Sequence, residues 1–147
     1  MSSFLLDTNC WMQIARARQH DAEVRRLLTE VPPSQLSLTD LALHSLGIAM
    51  QRHKVIDQFP DLVRQTGIGH SIAIVRLEPS RYGSVAAACN SYKLDFEDAY
   101  QYVAAELNGL ALVSLDGDFD KTPRGRLTPV AALQRFKDEQ SQQQPKP

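Results

Sequence analysis

Asp7, Asp40, Asp98 and Asp116 are the residues whose types and positions could do chemistry together. Asp7 closes the short apolar run Phe4-Leu5-Leu6, Asp40 closes Leu36-Ser37-Leu38-Thr39, and Asp116 closes Leu110-Ala111-Leu112-Val113-Ser114-Leu115. Short continuous apolar runs suit strands buried on both faces of a parallel sheet. In such sheets ligands gather at the carboxyl ends of the strands. Separate strands therefore deliver an Asp each to one edge. Asp98 stands at the start of an amphipathic stretch ending at Leu107, and it joins the others if that helix packs over the same edge. Gathered carboxylates raise one another's pKa. Their usual compensation is a hard divalent cation, Mg²⁺ or Mn²⁺, which prefers oxygen ligands. Such ions activate water for in-line attack on phosphorus and stabilise the leaving oxygen, so phosphoester hydrolysis is the chemistry implied.

Each acid taken alone has a purely structural explanation. Asp7-Thr8-Asn9 could cap a helix, and Asp40 could be a first-turn acid favoured by the helix dipole. Asp95 and Asp98 have the spacing of a capping box, with Asp in place of the usual Glu. Asp116-Gly117-Asp118-Phe119-Asp120 could be a turn. The weight lies in the conjunction, an Asp after three of the apolar runs. Two other readings fail. A calcium loop starting at Asp116 needs Gly at its sixth position and Glu at its twelfth, where Lys121 and Leu127 stand. A haloacid-dehalogenase-type phosphatase needs a second Asp two residues after Asp7, where Asn9 stands.

The elements that must position these acids alternate along the chain. A further strand is expected over Ile72–Leu77 and a short fifth near Leu127-Thr128. Helices are expected over Trp11–Arg18, Asp21–Val31, Thr39–His53, Val55–Gln65 (divided by Pro60), Pro79–Tyr92, Asp95–Leu107 and Pro129–Phe136. Strand alternating with helix points to a layered α/β sandwich with a mainly parallel sheet. The 147 residues are the size of one domain. That domain is expected over residues 1–137, followed by a Gln/Pro-rich tail, 138–147, expected to be disordered. Net charge is −1, so nucleic-acid binding would rest on local patches. Two cysteines without a CxxC fit a reducing compartment. No basic leader and no run of about 20 apolar residues is present, so a cytoplasmic protein without a membrane span is expected.

Leu5-Leu6-Asp7-Thr8-Asn9, the acid at the second strand end, Asp98-Ala99 and Val113-Ser114-Leu115-Asp116-Gly117-Asp118-Phe119 together resemble a PIN domain, in particular a VapC-like toxin ribonuclease. The match runs from about Phe4 to Leu133. The resemblance implies a three-layer sandwich with a five-stranded parallel sheet, and a Mg²⁺- or Mn²⁺-dependent endoribonuclease. It also implies a small antitoxin partner and a homodimer. By position, Asp7, Asp98 and Asp116 fall on the family's metal-binding acids, with Thr8, Asn9, Asp95, Ser114 and Asp118 supporting them. The departure is at the second acid. Most VapC-like proteins have Glu in the helix after the second strand, whereas this chain reads Thr39-Asp40-Leu41-Ala42-Leu43-His44-Ser45-Leu46-Gly47. It resembles a subgroup with Thr/Ser-Asp and His-Ser-x-Gly, in which Asp40 would serve. His44, one helical turn after Asp40, could face the same side and orient it or touch substrate, or be a structural histidine. Without an effective fourth acid, the alternative is a catalytically weak module that binds RNA or protein.

RNA requires cations for its phosphates. The nearest in sequence to Asp116 are Lys121, Arg124 and Arg126, expected at the rim of the pocket. Arg16, Arg18, Arg25 and Arg26 form a second basic group on the first helices. A solvated face would explain the loop group equally well, and is the better explanation of the helical group.

Overall fold

The computed structural model describes residues 1–144. Four parallel strands, β1 (Phe4–Leu6), β2 (Leu36–Thr39), β3 (Ala73–Val75) and β4 (Ala111–Val113), form one sheet in the order β3-β2-β1-β4. Side chains alternate across β1. Phe4 and Leu6 enter one core with Trp11, Val24, Leu27, Leu46 and Phe136, while Leu5 enters the other with Val85, Tyr102, Val103 and Phe119. The first core is covered by α1 (Thr8–Ala15), α2 (Asp21–Glu30), α3 (Asp40–Arg52), α4 (Phe59–Thr66) and α7 (Pro129–Gln143). The second is covered by α5 (Tyr82–Tyr92) and α6 (Phe96–Leu107). The expected three-layer α/β sandwich is therefore the fold.

The sheet has four strands rather than five. At the expected fifth, Leu127 makes a single parallel bridge to Val113, and its N–H donates to Leu112 O. The strand cannot lengthen, because Thr128 is already the N-cap of α7 and Pro129 has no N–H to give. Pro60 opens α4 in its first turn instead of dividing a helix, as its missing donor favours. The segment expected as a tail begins within a helix. α7 continues past Phe136 to Gln143, and Glu139 accepts from the N–H and hydroxyl of Ser2 at 2.8 and 2.6 Å. Lys, Glu and Gln are adequate helix formers, and no breaker occurs before Pro145. Residues 145–147 of that tail lie outside the described residues.

The strand order decides where a ligand can sit. From β1 the chain steps outward to β2 and β3, then returns across the sheet to place β4 on the other side of β1. The order reverses between β1 and β4: α1 leaves β1 over the first core, whereas the short helical turn Gly117–Lys121 after β4 sends Phe119 into the second, which leaves a crevice outside the carboxyl ends of those two strands.

Candidate active site

β1 delivers Asp7 to the crevice and the turn after β4 delivers Asp116. Asp7 stands at the N-cap position of α1, but its side chain makes no cap hydrogen bond. Its buried carboxylate instead accepts from Gln101 Nε2 at 2.8 Å and from Ser114 Oγ at 2.7 Å. Ser114 is fully buried, and its Oγ also accepts from Asn9 Nδ2 at 3.2 Å and from the Asp116 N–H at 2.9 Å. One hydroxyl therefore ties both strand-end aspartates together. Asn9 completes the frame, its Oδ1 accepting from the Leu115 N–H at 3.2 Å. Burial pushes the Asp7 carboxyl up, against the hydrogen bonds from Ser114 and Gln101 that hold it down.

α6 supplies the opposite wall. Asp95 caps it, accepting from the Asp98 N–H at 2.8 Å. The cap begins the helix at Phe96 and sets Glu97 and Asp98 in its first turn, over the crevice. Carboxylate oxygens of Asp98, Asp116 and Asp118 lie within 4.8 Å of one another. Loss of solvent, and then the charges of Asp7, Asp95, Asp116 and Glu97, push the Asp98 carboxyl up to about 7. This is a set of hard oxygen donors with uncompensated negative charge, and it fits a divalent cation of the Mg²⁺ or Mn²⁺ type.

Of the four aspartates expected to meet, Asp7, Asp98 and Asp116 do, with Thr8, Asn9 and Asp95 lining the same cleft. Asp118 joins the oxygen cluster itself. Asp40 does not reach the cleft. It opens α3, and its Oδ1 accepts from the Leu41 N–H at 2.9 Å and from the Tyr100 hydroxyl at 2.8 Å. Tyr100 Oη in turn accepts from the Leu77 N–H at 2.9 Å, beyond β3. Asp40 stands in the first turn of α3, ahead of Ser45, Ile48 and Arg52, residues of that helix that do line the cleft. His44 is exposed and lies outside the cleft lining.

The acid found beside the three aspartates is Glu97. Its Oε1 accepts from Thr8 Oγ1 at 2.7 Å and its Oε2 from Ser45 Oγ at 3.0 Å. The clamp bridges α1, α3 and α6. Sequence reasoning missed it because a Glu in a first turn is explained by the helix dipole alone. Gln101 was missed as well. Its signal was a polar side chain four residues after Glu97, inside the otherwise apolar run Ala99-Tyr100-Gln101-Tyr102-Val103, where only a buried partner justifies it.

The loop cations are engaged elsewhere. Arg126 pairs with Asp120 at 3.1 Å and donates to Ser114 O at 3.0 Å. Arg124 donates to Leu110 O at 2.9 Å and faces a separate recess at the amino ends of β1 and β4. Lys121 Nζ donates to Lys93 O at 3.0 Å. None of the three lines the acidic cleft.

Comparison with known proteins bears on the family and the fold. No curated protein matches the chain. Among solved structures it is similar to a toxin–antitoxin complex from Klebsiella pneumoniae, at 21% identity and TM-score 0.68 over 86% of this chain and 98% of that one. It is similar to VapC20 of Mycobacterium tuberculosis, described as a Sarcin-Ricin loop cleaving toxin, at 16% identity and TM-score 0.73 over 86% and 100%. A third is VapBC2 from Rickettsia felis bound to a DNA fragment of its promoter, at 15% identity and TM-score 0.64 over 84% and 96%. At these identities the likeness is one of fold. The PIN domain model matches residues 4–125, from the first residue of β1 to beyond the acidic turn, and the chain belongs to the PIN domain family.

Proposed function

We propose that the protein is a divalent-metal-dependent endoribonuclease, the toxin of a toxin–antitoxin pair, acting in the cytoplasm. The observation that carries this reading is the convergence of Asp7, Asp98, Asp116 and Asp118, with Glu97, on one cleft at the sheet's reversal point. Asp98, Asp116 and Asp118 would hold the ion, with Asp7 beneath them. Bound there, Mg²⁺ or Mn²⁺ would supply Lewis-acid stabilisation of phosphate charge and lower the pKa of water. The chain's own residues do the positioning. Ser114 and Gln101 orient Asp7, the Asp95 cap sets Asp98, and Thr8 and Ser45 fix Glu97 beside them, where it would take up the proton released by attacking water. The likeness in fold to a toxin–antitoxin complex and to a Sarcin-Ricin loop cleaving toxin supports this substrate class and an antitoxin partner. A homodimer is part of the same reading.

The diversion of Asp40 favours one second reading, a module that binds RNA without turning it over. Cleavage of a structured RNA with Mg²⁺, set against EDTA, separates the two. Asp7→Asn should abolish cleavage; wild-type rates in that variant would place the chemistry elsewhere. Glu97→Gln should lower kcat at least tenfold, whereas Asp40→Asn, which leaves the cleft intact, should change it less than threefold. The reverse ranking would return Asp40 to the site in place of Glu97.

A further inference from the structure

An acidic cleft that acts on a polyanion needs cations to hold the rest of the strand. The loop after β4 does not provide them. The far wall of the cleft does. Arg18, in the turn after α1, and Arg52, at the end of α3, both line it alongside Asp7, Asp98 and Asp116. Both are exposed, as is Arg16, the C-cap of α1. His53, the C-cap of α3, lies among them: partial loss of hydration and the charges of Arg16, Arg18 and Arg52 hold its imidazole below the usual range. Three guanidinium groups from two helix ends thus crowd one patch.

None of the three forms an ion pair or a side-chain hydrogen bond among the described residues. Arg25, Arg26, Arg64 and Arg126, by contrast, each hold a carboxylate. The helix dipole accounts for a cation at the end of α1 or of α3. It does not account for Arg18 beyond the helix, or for like charges gathered at the rim of one cleft, where they repel. The turn that brings them there is itself unusual: Ala17, between Arg16 and Arg18, adopts a left-handed φ of 47°, a conformation disfavoured for a non-glycine residue. Ile48, 57% exposed, lies on the same wall and adds apolar surface beside the charges.

We infer that Arg18 and Arg52, with Arg16, form a phosphate-binding wall that grips the nucleic-acid backbone next to the scissile bond, leading the strand along the α1–α3 side of the cleft toward the acids. This deepens the ribonuclease reading and rests on it for the substrate, but it is a statement about binding and can be tested without turnover.

The test uses the full chain carrying Asp98→Asn and Asp116→Asn, which removes turnover and acidic charge together. Binding of a short, unstructured, fluorescently labelled RNA is measured in EDTA across a range of salt. Each phosphate contact to a single strand contributes about 0.7 to the slope of log K against log salt. Arg18→Ala and Arg52→Ala should each lower the slope by about that amount, and the double substitution by about twice as much. Arg52→Lys should keep it, and Lys121→Ala should leave it unchanged. An unchanged slope in the Arg18→Ala/Arg52→Ala protein, an equal loss in Lys121→Ala, or no RNA binding at low salt overturns the assignment. Salt-dependent binding through these arginines, found together with a wild-type chain that never cleaves, would sink the nuclease reading and leave the wall standing.

Discussion

Ser114 shows how much of this site rests on one small side chain. Its hydroxyl donates to Asp7 and accepts from Asn9 and the Asp116 backbone, so the two strand-end carboxylates share one anchor. Around that anchor the acids crowd enough to push Asp98 up to about 7, which has a consequence for stability in the absence of metal. An unfolded Asp titrates near 4. Between about pH 4 and 7 the folded metal-free protein therefore binds more protons than the unfolded chain, and its stability falls as pH rises. The contribution is fully present below the unfolded pKa and is lost as pH rises through the folded one. In EDTA this site should make the melting temperature lower at pH 7.5 than at pH 5.5, and an Asp98→Asn variant should narrow that difference, leaving the part due to Asp7, which burial also pushes up. Added Mg²⁺ should stabilise the protein more at pH 7.5, where Asp98 is ionised, than at pH 5.5. Equal stabilisation at both values would contradict the assignment of Asp98 to the ion.

α6 is the element on which the site depends most. Its first turn carries Glu97 and Asp98, its second carries Gln101 against Asp7, and its far side, through Val103 and Ala104, is buried in the core. Asp95 decides where the helix begins. Asp95→Ala removes the cap and should cost about 1 kcal/mol of stability, measured by urea unfolding. It should also lower cleavage through fraying of the turn that holds Glu97 and Asp98, and Asp95→Ser, which can still cap, should recover most of both. Recovery of stability without activity would show that Asp95 acts on the ion or substrate directly. The contact between α3 and α4 depends on a single residue of another kind. A Cβ at Gly47 would come within 2.9 Å of the Phe59 ring, so the absence of a side chain there lets the two helices meet.

At the scale of the whole molecule, the sandwich is closed by α7, whose Phe136 is its last core residue. The remaining turns lie on the surface, tied through Glu139 to Ser2. Truncation after Lys137 should leave a folded, active domain, weakened by about 1 kcal/mol for the lost hydrogen bonds and melting a few degrees lower. Loss of cooperative unfolding would show that the last turns of α7 belong to the domain core. No helix among the described residues is long and apolar enough to cross a membrane.

Local chemistry was sufficient for much of this. Asp7 and Asp116 were legible because a strand end is recognisable from a short apolar run, and Asp98 because Asp95 announced the helix start with the spacing of a cap. The sandwich followed from the alternation of the two periods. What only the tertiary structure decided is which side chains from distant segments face each other. Neither strand order nor the packing that sets Asp40 against Tyr100 is written in any local pattern. The same packing brings Glu97 between Thr8 and Ser45, 89 and 52 residues away in sequence. The ends of α1 and α3 meet for the same reason, and their arginines become one wall of the cleft instead of two unrelated surface charges.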